Sequence, residues 1–149
     1  MVEGYTGAIA AHQAGITITA ATGGTALIPE HIEALRPVAS TLTLAFDGHA
    51  ASLQAAQRVA ELPNPARSGF SFKVAGLPQR EATPPACYQR LRIRAALADP
   101  TPLVHYLIDH IVEQHNLDEP EAVVRAVRAV GHFLRQTDRL IRSQCALWR

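Results

Sequence analysis

Leu42-Thr43-Leu44-Ala45-Phe46 is an apolar run that stops at Asp47-Gly48 and passes at once into the Ala-rich helical pattern of Ala50–Leu62. A strand feeding straight into a helix constrains this chain more than any other feature, because such units pack as a sheet whose faces the helices cover. The rest of the first two-thirds follows the same alternation. Tyr5–Ala14 is helix-compatible and Gly15 is its stop. Ile16-Thr17-Ile18-Thr19-Ala20 alternates and is β-branched, which predicts a short strand broken by Gly23-Gly24. Pro29–Leu35 reads as a helix with Pro at its first position, acids early and Arg36 late. Phe70–Ala75 is a further strand, after a loop built on Pro63-Asn64-Pro65.

Past a Pro-containing loop at Gly76–Ala86, the pattern turns wholly helical: Cys87–Ala98, Pro102–Gln114 and Pro120 to about Trp148. The expected class is α/β, a parallel sheet flanked by helices over residues 1–98, followed by a small all-α subdomain over 99–149. In the last helix, at about 100° per residue, Val123, Val127, Val130, Phe133, Leu134, Leu140, Ile141 and Trp148 share one broad face, expected to be the core face. Arg125, Arg128, Arg135, Arg139 and Arg142 form a stripe outside it. That stripe is either a solvated face or a set of phosphate contacts, and a helix break at Gly131 would destroy its register.

Composition excludes little but bounds the class. The 149 residues carry 14 Lys+Arg against 13 Asp+Glu, a net charge of +1, which makes no case for nucleic acid or membrane from charge alone. Cys87 and Cys145 read as two reduced thiols, no run approaches the ~20 apolar residues of a membrane span, and MVEGYTG lacks the marks of a signal peptide. A cytoplasmic domain is expected. His105, His110 and His115 recur every fifth residue, which spreads them around a helix instead of stacking them as ligands.

Chemistry concentrates at the expected strand ends, where parallel sheets bind ligands. Glu3 enters the first helix, Gly23-Gly24-Thr25 is a turn, and Asp47 and His49 follow the central strand. Carboxylates so placed hold Mg²⁺ with its waters and a phosphate. An imidazole at position 49 favours transition metals over Mg²⁺.

EGYTGAIAAHQAGI, then GGTALIPEHIEALR and LAFDGHAASLQAAQRV, resemble the Toprim domain of bacterial DNA primases, most closely the actinobacterial type. SFKVAGLP resembles the strand and turn before that family's second acidic loop, and DPTPLVHYLIDHIVEQHNLDEPEAVVRAV the helical region after it. The resemblance implies a Toprim-type sheet, and descent from the polymerase core that makes RNA primers in DNA replication. Implied with it are Mg²⁺ or Mn²⁺, nucleoside triphosphates and a single-stranded DNA template, together with replication partners such as the replicative helicase.

Carried over by position, Glu3 matches the family's catalytic glutamate and Asp47 the first aspartate of its Asp-x-Asp metal pair. His49 stands at the second, as a candidate metal ligand. Gly7 replaces a further aspartate, and Glu81-Ala82-Thr83-Pro84-Pro85-Ala86 supplies neither aspartate of the second acidic loop. Ile28 replaces a threonine, so the helix at Pro29 lacks a side-chain N-cap. Met1-Val2 stands where the family has a full first strand, and no Cys/His cluster has zinc spacing. Such a chain is expected to keep the fold and to have weak or no polymerase activity alone. Two alternatives are a catalytically silent module binding nucleic acid or replication proteins, and a decaying remnant with an exposed sheet edge.

Overall fold

A computed structural model describes residues 1–23, 27–46, 49–61, 71–76 and 94–136, with His49 by its backbone only. In chain order these form α1 (Tyr5–Gln13), α2 (Pro29–Leu35), β1 (Thr41–Leu44), α3 (His49–Glu61) and β2 (Ser71–Val74). A helical segment α4 (94–98) follows, then β3 (Thr101–Pro102), α5 (Leu103–Glu113) and α6 (Pro120–Gln136). The expected strand and helix positions agree with these to within two residues wherever they are described, except at 16–20. Expectations resting on 62–70, 77–93 and 137–149 lie outside the described residues.

The α/β sheet flanked by helices is present, and its strand order is β1-β2-β3. β1 and β2 pair in parallel, Leu42 opposite Phe72 and Leu44 opposite Val74. β3 joins β2 antiparallel, so the sheet is mixed instead of wholly parallel. Alternate residues of each strand point inward. Leu44 and Phe72 are 0% exposed and meet Val59 of α3 and Leu103 of α5 in the main core. Residues beyond 98 therefore supply both a strand and core side chains to the same sheet.

Local chemistry explains the helix ends. α1 closes with Gly15 at φ +80°, Gly15 N–H donating to His12 O and Ile16 N–H to Ala11 O, both at 2.9 Å. This is the paired C-terminal arrangement that a left-handed glycine permits. Arg94 seals the same end from far along the chain, its Nη2 and Nε donating to Ala14 O at 2.7 and 3.2 Å. At α2, Ile28 gives no side-chain cap, as its apolar side chain requires. Instead His31 Nδ1 accepts the Ile28 N–H at 3.3 Å.

Two expectations are corrected. Ile16–Ala20 forms no strand, and Ile18 is 95% exposed. β-Branched residues make a strand only when a neighbour supplies a ladder, and here pairing is confined to an isolated bridge between Ala21 and Val2. In α6 the buried line is Ala122 and Ala126, followed by partly buried Phe133 and Leu134. The small alanines let α6 approach α5 closely, which rotates Val123, Val124 and Val127 outward to 39%, 50% and 66% exposure. The helix runs through Gly131 unbroken.

Because Leu103 belongs to the sheet core, Leu103→Ala should lower the unfolding free energy by about 3 kcal/mol or more. Urea denaturation should show this as one displaced transition, with no separate unfolding of the chain after residue 98.

Candidate functional site

The site begins at the meeting of Met1-Val2 with β1. Ala45 N–H donates to Met1 O at 2.8 Å, and the Met1 amine donates to Thr43 O at 2.8 Å. On the other side Val2 N–H donates to Ala20 O and Thr22 N–H to Val2 O, at 2.9 and 3.0 Å. Met1-Val2 thus lies as a parallel rung between β1 and residues 20–22. Val2 packs with Ala45 and Ala75 in a second apolar cluster, while Met1 packs on the main core.

This rung delivers Glu3 to the carboxyl end of the sheet. With Met1 set between Thr43 and Ala45, the register puts Glu3 beside Phe46, one residue short of Asp47 in sequence. Glu3 is exposed, and its carbonyl accepts from Thr22 Oγ1 at 3.1 Å. Asp47 and Gly48 lie outside the described residues, and His49 is placed as the first residue of α3. Ser52, 1% exposed, ties the start of α3 to the strand end by donating from Oγ to Phe46 O at 3.1 Å. Sequence reading missed Ser52; a hydroxyl three residues into a helix after a strand is its only local signal.

Of the divalent-metal site that the fold implies, the described residues include Glu3, while Asp47 and residues 77–93 lie outside them. Glu3 contributes a carboxylate, while Gly7 and His49 occupy positions where acids are implied. Among the described residues no group of three His, Cys, Asp or Glu could hold a metal ion. Mg²⁺ requires oxygen ligands in near-octahedral array, more than the Glu3 carboxylate supplies. Of the arginine stripe, Arg125, Arg128 and Arg135 are exposed on α6, Arg128 and Arg135 opposite the line of Ala122 and Ala126 and Arg125 beside it; Arg139 and Arg142 lie outside the described residues. His110 and His115 have separate partners, His110 Nε2 with Gln114 Nε2 and His115 Nδ1 with Ile111 O, each at 2.9 Å. No helix of the described residues is long and apolar enough to cross a membrane.

A family model described as Toprim-like matches residues 1–82. The chain belongs to the Toprim-like family. A second model, described as the DnaB-helicase binding domain of primase, matches residues 104–144. The DNA primase of Mycolicibacterium smegmatis is 32% identical over 159 aligned positions, covering 98% of this chain and 24% of that protein. The DNA primase of Geobacillus stearothermophilus is 42% identical over 78 residues, or 52% of this chain. Among solved structures, the RNA polymerase domain of Mycobacterium tuberculosis primase DnaG with a double-stranded DNA oligomer superposes with a TM-score of 0.68 at 28% identity. It covers 95% of this chain and 48% of that one. A DnaG primase catalytic domain bound to single-stranded DNA gives 0.67 at 25% identity. The chain is a primase-related Toprim protein that spans about a quarter of that mycobacterial relative and about half of the DnaG structures.

Burial pushes the Met1 amine down from the ordinary 8.0 to about 6. Between pH 6 and 8 the folded chain holds this amine neutral while the unfolded chain still binds the proton, so stability rises with pH across that window. A shift of this size corresponds to about 2 kcal/mol once partial solvation is allowed for. Urea unfolding at pH 6 and pH 8 should show the rise, and N-terminal acetylation should remove it.

Proposed function

We propose that this Toprim protein serves DNA replication as a docking module and makes few or no primers alone. The match of residues 104–144 to a helicase-binding primase domain, together with the exposed valines on α6, carries this reading. Val123, Val124 and Val127, at successive positions on the outer side of α6, give an apolar strip. A helicase segment can bury such a strip as one helix face against another. The occupant is a DnaB-type replicative helicase.

The acidic end of the sheet takes the lesser role. Glu3 and Asp47, with His49 in place of an acid, hold Mg²⁺ or Mn²⁺ weakly and coordinate no zinc. Too little negative charge gathers there to organise a triphosphate. The DNA-bound DnaG neighbours support single-stranded template DNA as a second ligand. Arg125, Arg128 and Arg135, with Arg139 and Arg142, are its candidate phosphate contacts, and such binding weakens with salt. The two segments proposed, a Toprim-like part over 1–98 and a mainly helical part over 99–149, share one core through β3 and Leu103 and operate in the cytoplasm.

Calorimetric titration with a purified DnaB-type helicase should give saturable binding, reduced at least tenfold by Val127→Asp. Val127 is exposed, so the variant should fold, as its circular dichroism will verify. Binding unchanged in the folded variant, or absent in the parent chain, contradicts the docking role.

A further inference from the structure

The outer face of α6 is divided lengthwise by chemistry. At about 100° per residue, Val127, Gly131, Val124, Arg135 and Arg128 follow one another around a sector roughly 100° wide. That sector lies opposite the buried line of Ala122 and Ala126. Its apolar flank is formed by the two valines, its basic flank by the two arginines. Gly131 leaves a notch one turn beyond Val127, although glycine weakens a helix interior relative to alanine. A Cβ at Gly131 would meet Arg135 Nη1 at 3.6 Å, so the Arg135 side chain folds back along α6 to that level. The basic charge is unmatched. Arg125, Arg128 and Arg135 share α6 with a single acid, Glu121, and none of the three has an ion-pair partner among the described residues. The exposed acids Asp109 and Glu113 belong to α5. Charge is thus segregated between the two helices, which the net charge of +1 conceals.

We infer that the helicase segment docking on α6 is an acidic amphipathic helix. Its apolar stripe covers Val124 and Val127, and its Asp or Glu residues meet Arg128 and Arg135. The inference rests on the docking role and names the chemistry of the occupant. Charge complementarity decides it. A helix offering Lys or Arg on that flank would bring like charges together as the valines are covered, a cost by which interfaces reject wrong partners. Arginine suits the task because its planar fork grips a carboxylate at two points. Arg128 and Arg135 stand two turns apart, about 10.5 Å along the axis, so a helix lying along α6 presents its acids two turns apart. The absent side chain at Gly131 lets the two axes approach, since the spacing of packed helices follows the side chains at their contact. Burial of the valines supplies affinity, and the arginine pair sets register and choice of partner.

The test titrates the 149-residue chain with a purified DnaB-type helicase, comparing the parent with the double variants Arg128→Glu, Arg135→Glu and Arg128→Lys, Arg135→Lys. Both arginines are exposed, so the variants should fold, as circular dichroism will verify. Expected is helicase binding lowered at least tenfold by charge reversal. The lysine replacements, which keep the charge but not the fork, should hold it within about threefold of the parent. Binding that Val127→Asp weakens and charge reversal leaves unchanged keeps the docking role and overturns this inference. Absence of binding to the parent defeats the docking role, and the inference with it. A second arm uses two helical peptides, one with a Leu stripe and Glu two turns apart on one flank, the other with Lys at those places. The parent should bind the first at least tenfold more tightly, and charge reversal should invert the preference. Equal binding of both peptides overturns the inference whatever the helicase does. If charge reversal abolishes binding of single-stranded DNA and spares the helicase, the arginines serve the template, and the inference is likewise overturned.

Discussion

β1 is hydrogen-bonded along both edges, and the inequality of those edges organises the protein. Its ladder with β2 sets Leu42 and Leu44 against Phe72 and Val74, fixing the layer on which α3 and α5 pack. Its other edge holds one rung, Met1-Val2, and that rung positions everything at the carboxyl end of the sheet. Glu3 reaches the strand ends because Met1 O is tied to Ala45 N–H, and residues 20–22 stay beside the sheet because Val2 bonds them. Burial beside β1 penalises the charged form of the Met1 amine.

A Toprim site works by crowding carboxylates so that divalent cations and a polyphosphate share one place. Here Glu3 is kept at the carboxyl end of the sheet and Ser52 Oγ ties α3 to Phe46 O, while Gly7 and His49 stand where the resemblance implies acids. Fold and chemistry separate because they rest on different residues. The sheet needs apolar alternation, whereas the site needs acids at a few solvent-facing positions where the sheet tolerates replacement.

Much of this architecture is legible in the sequence. The apolar run before Asp47, the glycine stop at Gly15 and the proline start at Pro29 each act within a few residues, so their patterns survive without tertiary information. What escapes is what depends on distant partners. Arg94 clamps Ala14 O across 80 positions, and β3 is two residues long, too short to show a period. Ile16–Ala20 has the composition of a strand, but pairing is a property of two segments. The largest apolar residues of α6 point to one inward face. The close approach of α5 selects its smallest instead, leaving the valines outside. At the site, the Glu3 position is legible from the motif, while its exposure is not.

The proposed docking role goes with a proposed loss of the charge density that gathers cations around a triphosphate. The most direct measurement is calorimetric titration of the purified chain with Mn²⁺ in the presence of a nucleoside triphosphate. The account predicts no saturable heat from the protein at sub-millimolar Mn²⁺, with Asp47→Ala indistinguishable from the parent. Saturable sub-millimolar binding that disappears in Asp47→Ala would contradict it.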